Sequence, residues 1–123
     1  MEINKTGVWG EVYAARYLRD NGYRIITSNY RSRLGEIDII AQKDKNICFV
    51  EVKARGENPI AEPMEAVDAA KQSRIIATSK LFLKVYEYGL QPRYDVCEVW
   101  LNGDYEVMKI NYVENAYNDL NGR

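Results

Sequence analysis

The 123-residue sequence contains no histidine and only two cysteines. The absence of imidazole excludes Ser-His-Asp catalysis and histidine-containing zinc sites, and two thiols cannot form a four-cysteine zinc site. Any metal would therefore be bound by oxygen atoms, which favours Mg²⁺, Mn²⁺ or Ca²⁺. Cys48 and Cys97 both lie in apolar runs, so we predict that they are buried as small hydrophobic side chains.

Long hydrophobic runs and an excess of positive charge are also missing. No run approaches 18 apolar residues, and the amino terminus lacks the apolar core of a signal peptide. We therefore expect a cytoplasmic protein without a membrane segment. The 17 basic and 18 acidic residues give a formal net charge of −1, which excludes a histone-like polycation and provides no global argument for nucleic-acid binding.

The composition is that of one globular domain spanning 1–123, with 46% hydrophobic and 28% charged residues and no repeat or linker. A helix is predicted from Thr6 to about Asp20, ended by Asn21-Gly22. Glu11 borders its apolar stripe. The residues predicted to be buried in that stripe are Val8, Val12, Ala15 and Leu18.

Two groups of strands are separated by a second helix. That helix is predicted to begin at Met64 or Asp68 and to end near Tyr88, after a loop at 55–63. The last residues of the chain are expected to form a short helix or to fray. The predicted strands are 23–30, 36–41, 47–54, 93–101 and 105–112. This α-β-β-β-α-β-β order predicts an α/β fold with a mixed five-stranded sheet flanked by helices.

Charged residues interrupt two of the apolar strands. Asp38 lies among isoleucines, and Glu51 and Lys53 lie in the next strand. Because side chains alternate along a strand, Glu51 and Lys53 share a face with Phe49. We predict that this face collects the charges and that the opposite face is the core. The predicted core residues are Ile37, Ile39, Ala41, Cys48, Val50, Val52 and Ala54.

The two strands are predicted to form an antiparallel hairpin in which Asp38 faces Glu51. The paired residue numbers then sum to 89, Glu36 faces Lys53, and a four-residue loop at 43–46 connects the strands. The neighbouring register, with a sum of 88, would bury Glu36 and Asp38 in the apolar face. The first register is therefore favoured.

Two carboxylates side by side repel each other by roughly 4 kcal/mol at a separation of about 4 Å. A shared proton or a divalent cation would offset this repulsion. Asp38, Glu51 and the backbone carbonyl of Val52 are suited to bind Mg²⁺ or Mn²⁺, and Glu11 would supply a fourth ligand or hold a metal-bound water. Lys53 would stabilise the developing charge of a phosphate, which is the layout of metal-assisted phosphodiester hydrolysis. A cross-strand salt-bridge ladder on a solvated face is the structural alternative.

These residues also carry a resemblance. Glu51-Val52-Lys53 with the upstream Asp38 resembles the PD-(D/E)xK nuclease superfamily, and the order of elements is similar to that of archaeal Holliday-junction resolvases. More closely, the chain resembles the YraN-like family of uncharacterised bacterial proteins. The matching segments are Gly7-x-x-Gly10-Glu11, Asn29-x-Arg31, Gly35-Glu36-Ile37-Asp38, Phe49-Val50-Glu51-Val52-Lys53-x-Arg55, Glu65-Ala66-Val67, Lys71 and Arg93-x-Asp95-Val96.

The resemblance implies a restriction-endonuclease-like fold. It places four residues at the catalytic motif positions, namely Glu11, Asp38, Glu51 and Lys53. It also implies that Lys71 or Gln72, at the start of the second long helix, lies close to them. Together with Glu36, these two are the predicted supporting residues.

Basic residues provide a modest signal for nucleic-acid binding. Residues 94–123 carry 2 basic and 6 acidic side chains, so positive charge is concentrated in the preceding part of the chain. The residues considered for a phosphate-binding groove are Arg31, Arg33, Lys53, Arg55, Lys71, Arg74 and Arg93, of which Arg31, Arg33, Arg55 and Arg74 are the predicted nucleic-acid contacts. Scattered solvated charges are the alternative. Asp95 is expected to orient Arg31 or Arg93 structurally.

Three functions remain open from the sequence. The leading hypothesis is a Mg²⁺- or Mn²⁺-dependent endonuclease that acts on nucleic acid, with DNA favoured over RNA and branched or repair-intermediate DNA as candidate substrates. The second is a catalytically silent nucleic-acid-binding or partner-recruiting module with the same fold. The third is a structural protein in which Glu51 and Lys53 merely form an ion pair. Resolution of a branched junction would require two sites and hence a homodimer.

Overall fold

The computed structural model describes residues 5–56, 67–86 and 89–119. Two helices are present in these ranges, α1 (Lys5–Asp20) and α2 (Ala69–Val85). The strands are β1 (Arg24–Ser32), β2 (Gly35–Lys43), β3 (Asn46–Arg55), β4 (Gln91–Leu101) and β5 (Val107–Tyr117). Their order confirms the predicted α-β-β-β-α-β-β arrangement.

The five strands form one mixed sheet in the order β1-β2-β3-β4-β5. Strands β3 and β4 are parallel, whereas the other neighbouring pairs are antiparallel. Two parallel neighbours require a crossover connection, and α2 lies within that connection. The predicted α/β class with a mixed five-stranded sheet is confirmed.

The predicted register between β2 and β3 is confirmed where the two strands pair. Ile39 is opposite Val50, and the pairing continues to Lys43 opposite Asn46, so the paired numbers sum to 89. The predicted four-residue loop is wrong, because Lys43 and Asn46 belong to the ladder. The turn is Asp44-Lys45, and Asp44 adopts a φ of 53°, which suits a tight hairpin turn.

Both faces of the sheet are packed, so the prediction of one apolar and one charged face is wrong. Ile39, Ala41, Cys48 and Val50 belong to the core under α1, as predicted. The other face also carries a core, under α2. Its members are Ile37, Ile40, Ile47, Phe49, Val67, Ile75, Phe82, Tyr94 and Val96. The charges near Glu51 are therefore confined to the end of this face.

Helix α1 packs on the sheet through small side chains. Its buried residues are Gly10, Ala14 and Leu18, whereas Val8 and Val12 are exposed, by 53% and 36%. The predicted stripe is therefore wrong for those two valines. A Cβ atom added at Gly10 would lie 2.6 Å from the Cβ of Ala54, so the helix approaches β3 at a distance that only glycine permits. This contact sets Glu11 beside the end of β3.

The second helix and the last strand differ in extent from their predictions. Asp68 is the N-cap of α2 and accepts a hydrogen bond of 2.8 Å from the backbone N–H of Lys71, as the later predicted start implied. The earlier start at Met64 and most of the predicted loop lie outside the described residues. The predicted frayed or helical tail is wrong for residues 113–117, because β5 continues to Tyr117, which stacks on Tyr94, while residues 120–123 lie outside the described residues.

Neither helix in the described ranges has the length and hydrophobicity needed to cross a membrane.

The close contact between α1 and β3 can be tested with a double-mutant cycle. Gly10→Ala should lower the free energy of unfolding by about 1–3 kcal/mol, because the new methyl group overlaps Ala54. In an Ala54→Gly background, the same substitution should be neutral or slightly stabilising, since the overlap is gone and alanine is the better helix former. Urea denaturation of the four proteins measures the coupling. Equal costs in both backgrounds would contradict the packing.

Candidate active site

The candidate site lies where β2 and β3 separate. The ladder between them ends at the Ile39–Val50 pair, yet β2 begins at Gly35 and β3 continues to Arg55. Over these segments β2 pairs only with β1, and β3 pairs only with β4. The sheet is therefore forked, and side chains from both of its faces reach the gap.

Asp38 occupies the apex of this fork. Its Oδ2 atom accepts a hydrogen bond of 2.8 Å from the backbone N–H of Val52, so a side chain replaces the missing strand partner. The normal alternation also breaks here, because Ile37 belongs to the α2-side core and Ile39 to the α1-side core. The prediction that Ile37 shares a face with Ile39 is therefore wrong. Asp38 is turned toward Glu51 by the same irregularity.

An open cavity of about 410 Å³ lies in the fork between β2 and β3. All four residues predicted to be catalytic line it, and so does Val52. The complete lining is Thr6, Gly7, Glu11, Asp38, Glu51, Val52, Lys53, Ala54, Arg55 and Lys71. The structure therefore brings together residues from α1, β2, β3 and α2 that are distant in the sequence.

The carboxylates concentrate negative charge at the fork. Burial, followed by the charge of Glu51, raises the pKa of Asp38 from its ordinary value of 3.8 to about 7, against the opposing effect of the Val52 hydrogen bond. Glu11 contributes in the same direction from α1. The surroundings of Asp38 therefore destabilise its ionised form.

Glu51 has a cationic partner on α2. Its side chain is 7% exposed, and its Oε2 atom lies 2.5 Å from Nζ of Lys71. Partial burial disfavours the ammonium form of Lys71, but the hydrogen bond and charge of Glu51 outweigh it and raise the Lys71 pKa. The prediction that a residue at the start of the second helix lies close to the carboxylates is therefore confirmed for Lys71.

Lys53 and Glu11 complete the charged lining without forming an ion pair to any described residue. The predicted ladder pairs Asp38–Glu51 and Glu36–Lys53 do not form, because the ladder ends at Ile39–Val50. Lys53 is therefore available to the cavity. This arrangement argues against the interpretation of Glu51 and Lys53 as a simple salt-bridge pair.

The oxygen atoms at the fork suit Mg²⁺ or Mn²⁺. Within residues 5–56, 67–86 and 89–119, no three acidic or thiol side chains converge closely enough to form a complete ion cage. Mg²⁺, however, usually keeps several waters and needs only one or two carboxylates from the protein. Asp38, Glu51 and the Val52 carbonyl fit that donor set, and Glu11 is a further carboxylate of the lining.

Arg55 lines the cavity and is held by an ion pair with Glu98. Its Nε and Nη2 atoms each donate a hydrogen bond of 3.2 Å to Oε2 of Glu98, whose Oε1 accepts one of 2.9 Å from Asn111. Glu98 is 1% exposed, so this is a buried ion pair with a third polar partner. Glu98 and Asn111 are not among the residues predicted from the sequence. An acid inside the apolar run Val96-Cys97-Glu98-Val99 was the signal that could have identified Glu98.

Two predicted supporting residues lie outside the cavity lining. Glu36 is exposed and pairs with Arg31 on β1, with 2.6 Å between Oε2 and Nε. Gln72 donates a hydrogen bond of 2.7 Å to the carbonyl of Val67 and thereby stabilises the start of α2. Both side chains bind to nearby residues and not to the cavity. Only Lys71 of the three supporting residues reaches the carboxylates.

The basic residues predicted to form a phosphate-binding groove do not all lie together. Arg33 lies exposed in the β1–β2 turn and Arg74 lies exposed on α2, while Arg31 is engaged by Glu36. Of the basic side chains considered for the groove, only Lys53, Arg55 and Lys71 line the cavity.

Arg93 is excluded from the groove by a buried structural network. Its guanidinium contacts both carboxylate oxygens of Asp95, as predicted, and Tyr23 accepts a hydrogen bond of 2.7 Å from its Nη2. Asp95 is fully buried and also accepts hydrogen bonds from Tyr112 and the backbone of Asn115. The network joins β4 to β5 beneath α1.

Both cysteines are fully buried, as predicted. Burial is the main cause that raises the pKa of each thiol, Cys48 and Cys97, to about 12. Neither is therefore a reactive thiolate at neutral pH.

Comparison with known proteins identifies the family. Residues 10–99 match the model of the uncharacterised protein family UPF0102. A UPF0102 protein of Clostridium perfringens is 40% identical over 120 residues, covering 94% of this chain and 97% of that protein. A UPF0102 protein of Alkaliphilus oremlandii is 45% identical over 116 residues, which cover 92% of this chain and 97% of that protein. A UPF0102 protein of Caldicellulosiruptor bescii is 39% identical over 119 residues, which cover 95% of this chain and 100% of that protein. The chain belongs to the UPF0102 family, the YraN-like group indicated by its motifs.

The raised pKa of Asp38 predicts a specific pH dependence of stability. The folded protein holds the Asp38 proton more tightly than the unfolded chain, so this residue costs stability as the pH rises from about 4 to about 7. Asp38→Asn keeps a hydrogen-bond acceptor and does not titrate. In EDTA, its stability relative to the wild type should increase by up to roughly 4 kcal/mol between pH 4 and pH 8.

Urea denaturation at several pH values measures this difference, with Asp104→Asn, in the exposed β4–β5 turn, as the matched control. The control should follow the wild-type profile. An Asp38→Asn profile that also runs parallel to the wild type would show that Asp38 titrates normally.

Proposed function

We propose that this UPF0102 protein is a metal-dependent nuclease of the PD-(D/E)xK type, with a restriction-endonuclease-like fold. The observation that carries the proposal is the meeting of Glu11, Asp38, Glu51 and Lys53 in one open cavity at the fork between β2 and β3. Carboxylates and a lysine arranged in this way are suited to phosphodiester hydrolysis. A structural salt bridge would not require an open cavity or leave Lys53 unpaired among the described residues.

Each polar group has a task in this proposal. Mg²⁺ or Mn²⁺, held by Asp38, Glu51 and the Val52 carbonyl, would supply Lewis-acid activation of water and neutralise charge on the phosphate. Lys53 contacts the phosphate oxygens and stabilises the charge that develops on them. Glu11, which lines the cavity from α1, orients the attacking water by accepting its hydrogen bond.

Binding of the nucleic-acid backbone involves residues around the cavity. Arg55 is preorganised by Glu98 and therefore loses little side-chain entropy when it contacts a phosphate. The exposed Arg33 and Arg74 extend the positive surface. Because the net charge of the chain is −1, binding depends on this local charge and not on a global field. DNA is the proposed substrate, with branched or repair-intermediate DNA as the first forms to test.

A cleavage assay with matched lysine variants tests the proposal. The protein is incubated with branched, flapped and single-stranded DNA in Mn²⁺, and EDTA serves as the blank. Lys53→Ala should reduce the cleavage rate by roughly 100-fold or more, because it removes charge stabilisation at the phosphate. Lys45→Ala alters an exposed lysine at the opposite end of β3, in the β2–β3 turn, and should leave the rate unchanged. Cleavage that survives Lys53→Ala unchanged would contradict the assignment.

One observation favours a second function, a nucleic-acid-binding module without turnover. Lys71 already neutralises part of the charge on Glu51, which reduces the need for an added ion at that carboxylate. DNA binding that persists in EDTA and in Asp38→Asn, together with no cleavage of any substrate, would select this function. Loss of binding under both conditions would count against it.

A further inference from the structure

The contact between Lys71 and Glu51 joins the second helix to the candidate metal ligands. Lys71 lies in the first turn of α2, where Asp68 fixes its backbone N–H. Its side chain remains 39% exposed and ends with Nζ at 2.5 Å from Oε2 of Glu51. The backbone is therefore anchored while the long side chain retains access to the solvent in the cavity.

The ionised Glu51 carboxylate depends on a nearby positive charge. Its side chain is 7% exposed, and a buried carboxylate without a partner is strongly unfavourable. Lys71 provides that partner when no other ion is present. A divalent cation bound to the Oε2 atom that Lys71 contacts would meet the ammonium group there, and two cations at one oxygen atom repel each other.

We propose that Lys71 and the divalent cation bind Glu51 alternately, and that arrival of the ion releases the Lys71 ammonium to a phosphate of the nucleic acid. This inference rests on the proposed function, because it requires the ion to bind at the fork. It makes Lys71 a substrate-binding residue whose availability depends on the metal. Rotation of the Lys71 side chain is sufficient, because its backbone N–H is bound separately, by Asp68.

Isothermal titration of the DNA-free protein with Mn²⁺ measures the competition. Lys71→Gln should bind Mn²⁺ about tenfold more tightly than the wild type, because the ion no longer displaces an ammonium group. Lys71→Arg preserves the competing charge and should bind within about threefold of the wild type. Lys84→Gln is the control for charge at a distance. It removes an exposed cation in the last turn of α2, and it should change the affinity by less than about threefold.

The ammonium resonance of Lys71 in the wild-type protein gives an independent measurement. In ¹⁵N spectra the group should be protected by Glu51 without Mg²⁺ and should exchange rapidly with water once Mg²⁺ is added. A phosphorothioate DNA that resists cleavage should restore protection in the presence of Mg²⁺. This measurement decides the question even if Lys71→Gln fails to fold.

The possible failures are distinguishable. Equal Mn²⁺ affinities for wild type and Lys71→Gln, or an ammonium signal that stays protected when Mg²⁺ is bound, would overturn the alternation and leave the proposed metal site intact. Absence of Mn²⁺ binding in every folded variant would overturn both the metal site and this inference.

Discussion

The hydrogen bond from the Val52 backbone to the Asp38 carboxylate is the interaction on which the candidate site depends. It lies at the point where the ladder between β2 and β3 stops, and it lets the strands separate without leaving the Val52 N–H unpaired. The cavity exists because of this separation. Without it, α1 and α2 would remain on opposite faces of a continuous sheet, and Glu11 and Lys71 could not line one space.

The charges of the cavity are unequally compensated. Lys71 pairs with Glu51, but the main effects on Asp38 are burial and the negative charges of Glu51 and Glu11. Such an arrangement costs folding stability at neutral pH and is typical of functional sites. The buried Asp95 differs, because Arg93, Tyr112 and Asn115 satisfy it completely. Asp95 therefore holds the β4–β5 pair together, and Asp38 is the better candidate for chemistry.

Local sequence patterns predicted the order of elements and the β2–β3 register, because both depend on alternation and short turns. The same alternation misplaced Ile37, since the pleat breaks at Asp38 and no local signal marks that break. The α1 stripe was partly wrong because a helix that packs through Gly10 buries small residues, whereas hydrophobic spacing favours Val8 and Val12. The partners of Arg55 and Arg31 depend on tertiary contacts and side-chain geometry, which spacing along the chain does not encode.

The most direct measurement of the central claim is anomalous diffraction from a crystal of the protein soaked in Mn²⁺ near pH 8. We expect one Mn²⁺ ion at the fork, with oxygen atoms of both Asp38 and Glu51 at roughly 2.2 Å, as hard-cation coordination requires. Occupancy of the fork by solvent alone at saturating Mn²⁺, or an ion bound by only one of the two carboxylates, would contradict a shared metal site.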